Sequence, residues 1–159
     1  MSSSPARFSF ALNGLAATEA LAGTLAPLLR AGDVVMLEGG LGAGKTTFSR
    51  LLIEALAGEA VTVPSPTFTL VQPYTLPRFT LYHFDLYRLK NADELVELGI
   101  EEALLSGVTL MEWPALAVDF LPPDCLKLEF TFTDADERRL VTMDAPGKWQ
   151  AWARRVSLS

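Results

Sequence analysis

The chain reads as an α/β fold in three layers, with a mostly parallel central sheet and antiparallel strands toward the C-terminus. Three observations predict it. Asp33-Val34-Val35-Met36-Leu37 is a short apolar run with the character of a buried strand. A glycine-rich segment, Gly39-Gly40-Leu41-Gly42-Ala43-Gly44-Lys45-Thr46, follows, and then Phe48, Leu51, Leu52, Ala55 and Leu56 recur at helical spacing. Two later apolar runs, around Tyr82-His83-Phe84 and over Val108 to Met111, lead into Asp85 and Glu112.

The elements can be justified in order. Phe8, Phe10 and Leu12 alternate with smaller residues, as in a strand at or near a sheet edge. Thr18 is the expected N-cap of a helix running to Arg30, with Leu21, Leu25, Leu28 and Leu29 on one face and Gly32 as its stop. Pro64-Ser65-Pro66-Thr67 is a stiff extended link, because each proline fixes its own φ and turns its predecessor away from helix. Phe68 to Tyr74 and Phe79 to Leu86 read as strands. Asn91-Ala92-Asp93-Glu94 resembles a capping box before a short helix carrying Leu95 and Leu98. Glu101 to Leu105 adds a helical turn or two, and Val108 to Met111 is a strand. Pro114 suits the first turn of another short helix. Leu126 to Thr133 and Arg139 to Met143 alternate as a hairpin-like pair, and Gly147 to Val156 closes with a helix bearing Trp149, Trp152 and Val156. No repeat or long linker divides the chain, so residues 1–159 are expected to form a single domain.

Composition narrows the function. A length of 159 residues with half of them apolar suits one domain with a full core. The net charge of −6 argues against a broad nucleic-acid-binding face, which needs clustered Lys and Arg. Any role around RNA would run through a partner. A single cysteine, Cys125, excludes an internal disulfide and a cysteine-rich zinc site. It reads as a small buried filler; as a catalytic thiol it would need a local feature that lowers its pKa, and none is visible. His83 is the one histidine and cannot build a histidine-rich metal site. No run of about 18 apolar residues is present, so no membrane span is expected. The alanine- and leucine-rich N-terminal stretch reads as a packed helix rather than a signal peptide, since Arg7 is its one basic residue and Glu19 interrupts it. The expected location is cytoplasmic.

The glycine segment carries the chemistry. It fits G-x-x-x-x-G-K-[ST] without a mismatch and is a P-loop, so the three layers are those of a P-loop NTPase fold. Backbone amides of Gly39, Gly42, Ala43 and Gly44 would surround phosphates. Lys45 would reach the β/γ-phosphates, and the Thr46 hydroxyl would ligate Mg²⁺. Strand, loop and helix together place phosphates at a positive helix N-terminus. Asp85 and Glu112 follow apolar runs and are the candidate carboxylates for that metal, a role favoured over that of a surface or capping group, more strongly for Glu112 than for Asp85. Ser65-Pro66-Thr67 falls where other P-loop proteins sense the γ-phosphate, though it also suits a rigid turn. Arg88 could pair with a phosphate or an acidic neighbour. Arg138 or Arg139 could flank the base, and Trp113 could lie beside the nucleotide or plug the core. Asp144-Ala145-Pro146-Gly147 fits the D-x-x-G of GTPases but lies far down the chain with no N-K-x-D after it, and Lys90-Asn91-Ala92-Asp93 has guanine-motif letters in the wrong order. Adenine is therefore the default base, and ATP or ADP the expected nucleotide.

Four blocks taken together, Gly39 to Phe48, Ser65 to Leu70, Tyr82-His83-Phe84-Asp85-Leu86-Tyr87-Arg88, and Glu112-Trp113-Pro114, resemble the bacterial TsaE (YjeE) family in order and spacing. The resemblance implies an ATPase of the tRNA threonylcarbamoyladenosine pathway. Such a protein works beside TsaB and TsaD, meets tRNA through that complex, and supports TsaD's transfer of threonylcarbamoyl to adenosine. It implies that Lys45 holds phosphates, that Thr46 and Glu112 bind Mg²⁺, and that Thr47 adds a phosphate contact. It also implies that Asp85 is a metal-water or catalytic carboxylate, that Thr67 acts in a switch-like loop, and that Arg138 lies near the nucleotide. Gly40 departs from the family, in which many members carry an acidic residue there; altered loop stiffness or partner contact is expected, with phosphate binding kept. A small-molecule kinase shares the P-loop but would need a lid and an acceptor pocket. A nucleotide-gated binding module with negligible hydrolysis is a third reading.

Overall fold

In the computed structural model, which describes residues 6–40, 42–61, 69–133 and 138–158, β1 (Ala6–Leu12) leads into α1 (Gly14–Leu25) and a 3₁₀ turn (Ala26–Leu28). Then come β2 (Val34–Gly39), α2 (Lys45–Ala57), β3 (Val71–Thr75) and β4 (Thr80–Asp85). Next are α3 (Glu94–Glu97), α4 (Ile100–Ser106), β5 (Val108–Glu112) and a 3₁₀ stretch (Pro114–Phe120). The chain closes with β6 (Leu126–Thr133), β7 (Arg138–Ala145) and α5 (Trp149–Leu158).

All seven strands join one sheet in the order β1-β7-β6-β2-β5-β4-β3. The four central strands β6, β2, β5 and β4 run parallel. They are flanked by antiparallel pairings of β7 with β6, β1 with β7, and β3 with β4. The physical reason lies in the strands. All five residues of β5 are buried, and β2 is apolar up to Glu38, so both need cover on two faces. At one edge β3 carries Pro73, which lacks a ladder N–H and is tolerated there. At the other edge β1 alternates. Leu12, with Phe8 and Phe10, faces the core, whereas Arg7 pairs with Asp144 at 2.9 Å and Ser9 meets the Thr142 hydroxyl at 3.0 Å.

Two hydrophobic clusters cover the sheet. One is formed by α1, α2 and α5: Leu21, Leu25, Phe48, Leu52, Ile53, Trp149 and Trp152 pack on Val35, Leu37, Leu110, Leu128 and Val141. The other unites Phe84 and Met111 with Leu95, Ile100, Ala103 and Ala117. This is the three-layer arrangement the sequence predicts. Among the described residues, no helix is long and apolar enough to cross a membrane.

Some boundaries differ from expectation. Thr18 lies inside α1, where its hydroxyl points back to the Gly14 carbonyl at 3.5 Å; Asn13 occupies the N-cap position. The helix gives way to a 3₁₀ turn at Ala26 because Pro27 supplies no N–H to continue the ladder. At this helix end the Ala26 and Leu29 carbonyls accept hydrogen bonds from Arg78, at 2.7 and 3.1 Å. The Asn91 box forms by halves. Glu94 accepts from the Asn91 amide at 3.3 Å, but the Asn91 side chain accepts from Asp93, not from Glu94. The first strand after the P-loop helix begins at Val71, and the predicted start at Phe68 lies outside the described residues.

Phe48 is fully buried, 5.6 Å from the Phe130 ring. Phe48→Ala is expected to lower stability by about 3–5 kcal/mol, read as a fall in the urea midpoint. Cys125 is buried, with its thiol 2.9 Å from the Pro122 carbonyl, and burial pushes its pKa up to about 12. The native protein should therefore resist alkylation by iodoacetamide at pH 8 and react on unfolding. Rapid labelling of the native thiol would contradict the burial.

Candidate active site

The P-loop begins where β2 ends. Gly39 has φ +134, and a Cβ there would overlap the Phe130 carbonyl oxygen, so only glycine lets the chain turn this close to β6. Gly40 and Ala43 close a turn, with the Ala43 amide donating to the Gly40 carbonyl at 3.2 Å. Gly44 sits at φ +115, which turns the chain into α2. Lys45 is the first residue of that helix, so the loop feeds straight into a helix N-terminus.

Parallel register then brings the carboxylates to the same end of the sheet. Glu112 pairs with Leu37 on one side and with Asp85 on the other. The Leu86 amide donates to the Glu112 carbonyl at 3.1 Å, and the Trp113 amide donates to the Leu37 carbonyl at 3.3 Å. Both carboxylates are almost wholly buried, Asp85 at 5% and Glu112 at 2% exposure. The Thr46 hydroxyl donates to Glu112 Oε1 at 3.4 Å. The opposite oxygen, Oε2, lies 2.6 Å from Nε2 of the buried His83. Asp85 accepts a hydrogen bond from the Tyr87 amide at 3.0 Å, which fixes the turn after β4.

Lys45 is the cation of the site. Its ammonium donates to the Gly39 carbonyl at 2.6 Å and lies 3.3 Å from the centroid of the Trp113 ring. Burial lowers its pKa, and the charges of Glu112, Asp85 and Glu38 oppose that shift. Trp113 itself has φ +57, an uncommon conformation for a bulky residue, and packs against Tyr87 with ring centroids 4.8 Å apart. Beside Gly39 and Gly40 opens a cavity of about 450 Å³ walled by Leu86, Leu89, Trp113 and Leu116, with Glu38 and Glu129 on its lining.

The structure thus brings Gly39, Lys45, Thr46, Asp85, Glu112 and Trp113 to one strand-end region. Gly42, Ala43 and Gly44 belong to the same loop, and Thr47 follows in the first turn of α2, partly exposed. Trp113 packs on the second hydrophobic cluster and faces the P-loop lysine. Thr67 lies outside the described residues, as does the side chain of Arg138, whose backbone pairs with Thr133 in the β6–β7 hairpin. The neighbouring arginine, Arg139, lies against the P-loop, where a Cβ on Gly44 would come 3.2 Å from its Cδ. Among the described residues no group of three or more His, Cys, Asp and Glu forms a cage for an ion. A hydroxyl and a carboxylate beside a phosphate-binding loop suit Mg²⁺, which takes few protein ligands and keeps much of its water.

The chain matches the family described as Threonylcarbamoyl adenosine biosynthesis protein TsaE over residues 12–140. It belongs to the TsaE family. It is similar to the tRNA threonylcarbamoyladenosine biosynthesis protein TsaE of Rickettsia bellii, with 42% identity over 80% of this chain and 88% of the relative. The protein of the same name from Bacillus subtilis is 41% identical over 88% of this chain and 87% of its own length. The crystal structure of Bacillus subtilis YdiB superposes with a TM-score of 0.78 and 31% identity, covering 99% of this chain and 98% of that one.

Within this TsaE-family site, the residue that sequence reasoning missed is His83. As the one histidine it cannot build a histidine-rich metal site, and the sequence assigns it no other role there. A signal was present: His83 and Asp85 stand two apart on one strand and so share a face.

The contact between Lys45 and Trp113 gives a direct test. A phosphate chain that draws the ammonium off the indole should change the fluorescence of Trp113. Titration with ATP is expected to alter emission in the wild type and not in Trp113→Phe, which keeps Trp149 and Trp152. An equal change in both would detach the signal from this contact.

Proposed function

We propose that the chain is a Mg²⁺-dependent ATPase that supports threonylcarbamoyl transfer to adenosine of tRNA, acting beside TsaB and TsaD in the cytoplasm. The observation that carries this reading is the meeting of a P-loop lysine with the Thr46–Glu112 pair and Asp85 at one row of strand ends. Family membership supplies the pathway.

The chain's own groups suggest how hydrolysis would run. The loop amides and the N-terminus of α2 would hold the β- and γ-phosphates, and Lys45 would leave Trp113 to neutralise charge that develops as water attacks the γ-phosphate in line. Thr46 and Glu112 would hold Mg²⁺, which when bound supplies positive charge to the phosphate oxygens. Asp85, next to Glu112 in register, would orient a water of that shell or the attacking one. The walls of the site exclude solvent from the carboxylates, which strengthens each of these interactions.

The cavity beside Gly39 and Gly40 favours a second reading, a small-molecule kinase whose acceptor would sit there. Strict dependence of ATP consumption on a small acceptor would be its signature. A nucleotide-gated binding module would instead bind partners differently with ATP and ADP while hydrolysing almost nothing.

Phosphate release measured alone and with TsaB and TsaD decides among these. Weak activity that rises with both partners is expected, falling about 10²-fold or more in Lys45→Ala. Hydrolysis left intact by that substitution would sink the assignment.

A further inference from the structure

We propose that His83 is a positioning residue for the carboxylate of Glu112, holding Oε2 so that Oε1 faces Thr46 and the metal. The inference rests on the ATPase reading of the site.

The geometry is asymmetric. His83 is wholly buried, and its Nε2 lies 2.6 Å from Oε2, while Oε1 faces the Thr46 hydroxyl at 3.4 Å. The cross-strand neighbour of His83 is Leu110, so Glu112 stands one diagonal step further toward the strand ends. The imidazole therefore approaches the carboxylate from the protein interior, leaving its outer oxygen toward the P-loop. Nδ1 of His83 is buried and has no hydrogen-bond partner among the described residues. The ring proton accordingly belongs on Nε2, where Glu112 accepts it. A buried, unpaired ring nitrogen carries a desolvation cost that an apolar side chain would avoid. What the histidine provides in return is the one contact to Glu112.

That contact matters because the last torsion of a glutamate is broad and nearly two-fold. Left alone, the carboxylate could rotate and offer either oxygen. Mg²⁺ demands near-ideal octahedral geometry, so a swinging ligand binds it poorly. Hydrogen bonds that orient a ligating carboxylate are typically worth about 10–100-fold in metal affinity.

The test is calorimetric binding of a non-hydrolysable ATP analogue, with Mg²⁺ and with EDTA, to wild type, His83→Met and His83→Gln. The quantity read is the factor by which Mg²⁺ strengthens binding. His83→Met is expected to cut that factor by about tenfold or more, with binding in EDTA unchanged. His83→Gln, whose side-chain amide reaches the place of Nε2, should restore most of it. If circular dichroism finds His83→Met unfolded, His83→Asn decides, since its amide is too short to reach Glu112 and must give the same selective loss. A wild-type Mg²⁺ factor in the deciding variant overturns the proposal. So does a loss equal in Mg²⁺ and EDTA, which would make His83 a structural residue only. A wild-type protein that binds the analogue no better with Mg²⁺ overturns the metal reading beneath it, and one that does not bind at all overturns the ATPase reading itself.

Discussion

A carboxylate with only 2% of its surface exposed has to be satisfied where it stands, and Glu112 sets that condition for the whole site. It ends a strand whose every residue is buried, so water cannot serve it freely. Its partners come from two different elements, His83 from β4 and Thr46 from α2. The parallel register then fixes what else is close, with Leu37 on one side and Asp85 on the other. The loop after β2 therefore starts beside the carboxylate by construction. The tertiary fold is in this sense a device for delivering three strand ends and one helix N-terminus to a common point.

The proposed function asks the site to bind anions in a chain that carries a net charge of −6. Long-range attraction cannot do this, so the positive potential has to be local. It comes from Lys45, the amides of the glycine loop and the first turn of α2. Glu38, Asp85 and Glu112 oppose it at short range, and they also keep the buried Lys45 charge tolerable. A divalent cation would resolve the conflict between these carboxylates and a phosphate chain, so the same residues that would weaken bare phosphate binding would suit a metal-bound nucleotide.

What the sequence revealed was local. The P-loop is a contiguous motif with a strand before it and a helix after it, and all three are where the pattern put them. Asp85 and Glu112 were legible because each follows an apolar run, and β4 and β5 are those runs. The pairing of His83 with Glu112 was not legible. It spans 29 residues and depends on a diagonal across two strands, which no single-strand pattern encodes. The place of Arg139 against the P-loop was not legible either, since neighbours on a strand face opposite ways and it takes the register of β7 against β6 to set which face each presents. Thr18 looked like a cap because its residue type favours caps, but the helix had already begun at Gly14. Asn13, another residue type that favours caps, stands at that start.

The Lys45 ammonium has two partners in this arrangement, the Trp113 face and the Gly39 carbonyl. On the proposed ATPase reading, phosphate binding would be an exchange of partners for a cation already engaged. The affinity that results is a difference between two favourable states of one side chain, smaller than either alone. A ligand whose phosphates stop short of Nζ leaves the lysine on the indole and gains nothing from the exchange. The length of the phosphate chain would thereby become something the loop can measure.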